Sequence, residues 1–150
     1  MAIRRGRVRI FKNKAFMRFA KKVDIGDAVL CRAIRDAERG LIAADLGGGV
    51  IKQRIARVGQ GKSGGFRTLI VFRAGVRAFF VHGFAKNEMD NIVRDELAAL
   101  KKLASELLAY DDEALARALG TGTLIEVTCD EQTIPKFSNG VGPRNGRRAS

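Results

Sequence analysis

The sequence predicts a small α+β domain in which helices pack on one face of a small antiparallel sheet. Three observations predict it. Apolar residues near the N-terminus recur at helical spacing, three apolar β-branched runs follow between residues 50 and 84, and the helical period returns from about Asp95. With 150 residues and 46% hydrophobic content, the chain can bury one core without metal or disulfide staples. The domain is placed at residues 1–128, with its core over about 6–110. Residues 129–150 are read as a basic, disordered tail, because 130–150 hold both prolines, three glycines and four basic residues with little to bury.

Each element has a local reason. Arg7-Val8-Arg9-Ile10-Phe11 alternates basic and apolar side chains, the pattern of a strand with one buried face. Phe16, Phe19, Ala20 and Val23 then recur at helical spacing among lysines and arginines, predicting an amphipathic helix over about 12–22. Asp27 is a candidate cap for a second helix that carries Leu30, Ala33, Ile34, Ala37 and Leu41 on one face and closes at Gly40. Gly47-Gly48-Gly49 ends a loop. Val50–Ala56, Phe66–Arg73 and Val76–Phe84 follow as strands, the last two joined by the tight turn Ala74-Gly75. Gly59–Gly65 is read as a longer flexible link. Leu97, Leu100, Leu103, Ala104, Leu107 and Leu108 mark a third helix, and about 112–119 a fourth. Leu124–Val127 fits a small strand or a partner-binding segment.

Charge narrows the function classes. The net charge is +12, but residues 1–89 carry +14, residues 90–131 carry −6, and residues 132–150 carry +4. A basic module with an acidic flank seeks polyanions, nucleic acid first. No apolar run reaches the roughly 18 residues of a membrane helix. The basic N-terminus leads into no apolar stretch, so a secretory signal is not expected. Cys31 and Cys129 lie far apart in the chain and are expected to form neither a metal site nor a disulfide, which fits a reducing cytoplasm. No cofactor is expected.

The candidate chemistry is cationic. Lys52 and Arg54 stand two apart on one strand and share a face, while Ile51, Gln53 and Ile55 take the other. Arg67 begins the next strand and Arg73 ends it, and Lys86 follows the last one. Such a cluster can hold a phosphate and stabilise the extra charge of a phosphorane-like transition state. Arg57, Lys62 and Arg73 are further candidates for contacts with an RNA backbone. Ala56–Ser63 approximates a phosphate-binding P-loop, but Ala56 occupies the first glycine position and an apolar β-branched run follows where a helix is required. His82, the sole histidine, is read onto the same face as Phe80 and Phe84, and the Phe79-Phe80 run is read as core.

Three linked motifs carry a resemblance. They are Leu46-Gly47-Gly48-Gly49-Val50-Ile51-Lys52-Gln53-Arg54-Ile55-Ala56, then Gly61-Lys62-Ser63-Gly64-Gly65-Phe66-Arg67-Thr68-Leu69-Ile70, then Gly83-Phe84-Ala85-Lys86-Asn87-Glu88 ahead of an Asp-bearing helix. Together they resemble the RelE/HigB-type toxins of bacterial type II toxin–antitoxin systems, over about residues 6–110 and most closely over 46–108. The resemblance implies a small antiparallel sheet with packed helices. It also implies entry into the ribosomal A site and metal-independent cleavage of the mRNA there, through attack of the 2′-hydroxyl on the adjacent phosphate. Lys52, Arg54, Arg67 and Lys86 match the family's basic residues, with Lys52 a candidate base where positive neighbours crowd it. Asn87 stands where several members carry a second basic residue. The C-terminal tyrosine that some members use has no match, since Tyr110 lies well down the chain. The implied partner is a cognate acidic antitoxin covering the basic face. A non-catalytic or ParE-like, gyrase-directed binder on the same scaffold is the alternative.

Overall fold

The computed structural model describes residues 8–57, 61–85 and 94–129, so Lys86, Asn87 and the tail from residue 130 lie outside the described residues. The chain runs β1 (Arg9–Asn13), α1 (Lys14–Val23), α2 (Asp27–Glu38), β2 (Ala44–Gly47), β3 (Val50–Arg57), β4 (Gly61–Arg73), β5 (Arg77–Ala85), α3 (Arg94–Leu108), α4 (Asp112–Thr121) and β6 (Leu124–Val127). The strands form one sheet in the order β2-β3-β4-β5-β1-β6. This is the expected α+β class, with two differences in detail.

The sheet is mixed, because β1 pairs parallel with β5 while the other pairs are antiparallel. A long stretch of chain separates β1 from β5, so no hairpin dictates their relative direction. Helices also cover both faces rather than one. Ile10, Ile70 and Phe80 join the core beneath α1 and α2, whereas their neighbours Phe11, Val71 and Phe79 join the core beneath α3 and α4. Strands apolar on both sides need cover on both sides. Phe80 meets Phe16 of α1 at 5.0 Å between ring centroids, and Phe79 stacks on Phe11 at 5.2 Å. Burying each such ring stabilises the fold by roughly 1.5–3 kcal/mol.

Local chemistry sets the boundaries. Asn13 caps α1, its side-chain oxygen accepting from the Phe16 amide at 2.8 Å. The helix closes at Asp24, which adopts a left-handed φ of 62° while the Ile25 amide bonds back to the Ala20 carbonyl at 2.8 Å. Asp27 is not the cap expected of it. Gly26 takes that position, and Asp27 begins α2. Its carboxylate instead accepts from Lys12 Nζ at 3.2 Å and from the Thr128 amide at 3.0 Å. The helix ends at Glu38, which leaves Leu41 beyond it and 55% exposed rather than in the helix face.

The glycine run at 47–49 is the tip of a β2–β3 hairpin, not the end of a loop. All three residues have positive φ, and a Cβ on Gly49 would stand 2.9 Å from Leu108 of α3. The segment expected as a flexible link is shorter than anticipated, since β4 already begins at Gly61, opposite Arg57. Gln53, a polar residue on a buried face, is satisfied by donating to the Ala33 carbonyl at 3.0 Å and the Leu41 carbonyl at 2.9 Å. Leu124–Val127 is a strand, pairing antiparallel with β1 at the sheet edge.

The two cysteines overturn the expectation that they stay apart. Cys31 and Cys129 form a disulfide with their Cα atoms 5.9 Å apart. Pairing of β6 with β1 carries Cys129 across to α2, and Asp27 holds Thr128 beside it. A sequence separation of 98 residues therefore says nothing about distance in the fold.

Candidate active site

The β3–β4–β5 register builds a basic patch one rung at a time. Lys52 pairs with Leu69, which pairs with His82; on the next rung Arg54 pairs with Arg67, which pairs with Phe84. Paired residues of adjacent strands project from the same face. Leu69 and Phe84 belong to the core beneath α3 and α4, so Lys52, Arg54, Arg67 and His82 share that face. Ile51, Gln53 and Ile55 are buried on the other, as the alternation predicts. Lys52 and Arg67 are half-buried and Arg54 is exposed.

Two features of this patch cost stability and point to an anion. Arg54 and Arg67 stand directly opposite each other, a like-charge arrangement that destabilises a sheet. Neither makes an ion pair among the described residues. In addition, Arg67 Nη1 is buried without a hydrogen-bond partner. An orphaned buried donor costs on the order of 1–3 kcal/mol. A phosphate between the two guanidinium groups would relieve the repulsion and supply the missing acceptor.

The remaining candidates fall elsewhere. Arg57 and Lys62 lie at the β3–β4 hairpin end, beyond the Arg54–Arg67 rung, and Lys86 lies outside the described residues. Arg73 is exposed at the opposite end of β4, roughly 20 Å from Arg67 at strand rise. It pairs with Arg77, whose guanidinium is engaged by the Tyr110 carbonyl at 2.7 Å and Asp112 Oδ1 at 3.0 Å. Tyr110 thus packs at that far end. Residues 61–73 form a strand, so the Lys62-Ser63 pair is not followed by the helix that a P-loop requires.

Sequence alternation misplaces His82 relative to Phe80. In β5, Leu69 pairs with His82 but Ile70 pairs with Phe80, which leaves Val81 as an extra residue, a β-bulge. Phe80 therefore faces α1 while His82 turns to the basic face, its ring 5.7 Å from that of Phe84. A bulge inside an apolar run leaves no mark in the residue pattern. A shift in proton affinity among the described residues, that of Arg9, lies away from the patch. Glu126 hydrogen-bonds Arg9 through both carboxylate oxygens at 2.9 Å and raises the guanidinium pKa above its usual value.

Among the described residues no three His, Cys, Asp or Glu side chains gather as a metal site, and no helix is long and apolar enough to cross a membrane. Comparison with curated proteins gives no significant match. A protein-family model does match, over residues 8–127, and its description is the RelE toxin of the RelE/RelB toxin–antitoxin system.

Proposed function

Because the chain belongs to the RelE toxin family, we propose that it is a ribosome-dependent mRNA endoribonuclease that inhibits translation. The reaction needs no metal, because the nucleophile is the substrate's own 2′-hydroxyl and the charge of the transition state is met by guanidinium and ammonium groups. The 2′-oxygen bonds to phosphorus, the bond to the 5′-oxygen breaks, and a 2′,3′-cyclic phosphate and a 5′-hydroxyl result. Arg54 and Arg67 hold the non-bridging oxygens, Lys52 lies on the neighbouring rung, and Lys86 completes the set through the family resemblance. The observation that carries this reading is the opposed Arg54–Arg67 pair with its unpartnered buried Nη1.

The partner is a cognate antitoxin whose acidic surface covers the basic face and keeps the toxin from the ribosome. The site of action is the cytoplasm, a placement that follows from the ribosome-directed reading and not from the cysteines, which pair. Induced expression followed by primer extension on cellular mRNA tests the reading. Cuts within translated codons, lost in Lys52→Ala and Arg67→Ala, are expected. Intact mRNA with poisoned gyrase would establish the ParE-like alternative instead, and undiminished cleavage by Lys52→Ala would remove Lys52 from the machinery.

A further inference from the structure

We infer that His82 is the group that takes the proton from the attacking 2′-hydroxyl, an inference that rests on the endoribonuclease reading. Cleavage by an internal hydroxyl needs a base at the attacking oxygen and an acid at the leaving one, on roughly opposite sides of phosphorus. The ammonium and guanidinium groups of the patch donate hydrogen bonds but carry no lone pair to accept a proton, so the base role for which Lys52 is a candidate passes to another group. A neutral imidazole carries one.

The geometry places that imidazole across the patch. Lys52 and His82 occupy one rung with Leu69 between them, so their backbones are two strand spacings, roughly 9.5 Å, apart. Arg67 sits diagonally between them on the adjacent rung, within reach of both. A phosphate on Arg67 is thus flanked by an imidazole on the β5 side and an ammonium on the β3 side, the disposition an in-line displacement requires.

Four further observations support the assignment. His82 is half-buried, and no hydrogen bond holds its ring nitrogens among the described residues. Phe84 packs at 5.7 Å and limits where the ring can turn. The Val81 bulge is what brings the side chain to this face, since regular alternation from Phe80 would have aimed it at α1. Bulges that re-aim one side chain concentrate beside active sites. The next residue, Gly83, sits under Phe19 of α1, where a Cβ would meet the ring at 2.3 Å, so the local register is locked from the opposite face.

The step balances without a co-reactant. His82 accepts the 2′ proton as the oxygen–phosphorus bond forms. The phosphorus–O5′ bond breaks, and the Lys52 ammonium protonates the leaving oxygen. Solvent then returns one proton to Lys52 and removes one from His82.

The test is single-turnover cleavage of mRNA on programmed ribosomes, with ribosome binding measured in parallel. His82→Ala and His82→Gln are each expected to slow cleavage by about 10²–10⁴-fold while binding stays within a few-fold, and added imidazole is expected to restore part of the rate to His82→Ala. Gln fills the space and can hydrogen-bond but accepts no proton, so it guards against a folding defect in the Ala variant. Cleavage by His82→Gln within about 3-fold of the unmodified protein overturns the inference while leaving the endoribonuclease reading intact. Absence of cleavage by the unmodified protein overturns both.

Discussion

Opening the Cys31–Cys129 bond should remove a large share of the stability of the domain. The bond spans a sequence separation of 98 residues, so it closes the chain from within α2 to just beyond β6 into one loop. Closing a loop of that length in the unfolded chain is worth about 4.7 kcal/mol at 25 °C on the chain-entropy model. At about 2–4 °C per kcal/mol for a domain of this size, reduction should lower the melting temperature by roughly 10–20 °C. The bond also anchors the chain just beyond β6, an edge strand of four residues held to β1. Hydrogen exchange at β6 should therefore quicken before exchange at β4. The assay is a thermal melt with and without a phosphine reductant, run beside Cys31→Ser, with the bond confirmed by mass spectrometry. Reductant should shift the unmodified protein and leave Cys31→Ser unmoved. A shift below about 2 °C in protein whose disulfide is verified would refute the reasoning, because the loop-closure term would then be absent.

Three other perturbations follow from the same structure. Replacing Arg67 by Met removes both the orphaned donor and the repulsion from Arg54, so chemical denaturation should find the variant unchanged or up to about 1–3 kcal/mol more stable, although cleavage is lost. Gly83→Ala drives a Cβ to 2.3 Å from the Phe19 ring and should cost about 1–3 kcal/mol of stability by the same measurement; an unchanged midpoint would mean that α1 yields freely. Glu126→Gln should cost less than about 1 kcal/mol, and less still in high salt, because the Arg9–Glu126 pair is largely exposed. Glu126 raises the Arg9 pKa, so that contribution is present throughout the neutral range and is lost as pH climbs through the alkaline titration of the guanidinium; a stability loss near neutrality that depends on Arg9 would contradict it.

Periodicity carried the elements well and their surroundings less well. The helical spacing of Phe16, Phe19 and Ala20 and the apolar runs of β3, β4 and β5 were legible because a buried face leaves a repeat in the residues. The cap at Asn13 and the role of Asp27 were not, since either residue type can cap a helix and only the tertiary position of Thr128 decides what Asp27 binds. The disulfide was invisible for a related reason: linear separation carries no information about which strand lies at the sheet edge. His82 was misplaced relative to Phe80 because a period of two assumes that no residue is inserted, and Val81 is one.

The location of the basic patch follows from an opposition between two sequence gradients. Along β3 the face beneath α3 reads Val50, Lys52, Arg54, passing from apolar to basic. Along β4 the same face reads Arg67, Leu69, Val71, passing from basic to apolar. Because the strands are antiparallel, the two gradients coincide in space, with Val50 opposite Val71 and Arg54 opposite Arg67. The apolar ends form the core that α3 and α4 cover. The basic ends fall together at the other end of the same face, where burying them beneath helices would be costly. Arg73 continues β4 past its apolar end, which is why it stands apart from the cluster although it shares strand and charge with Arg67. A basic residue joins this site by its position along the antiparallel register, not by belonging to the strand.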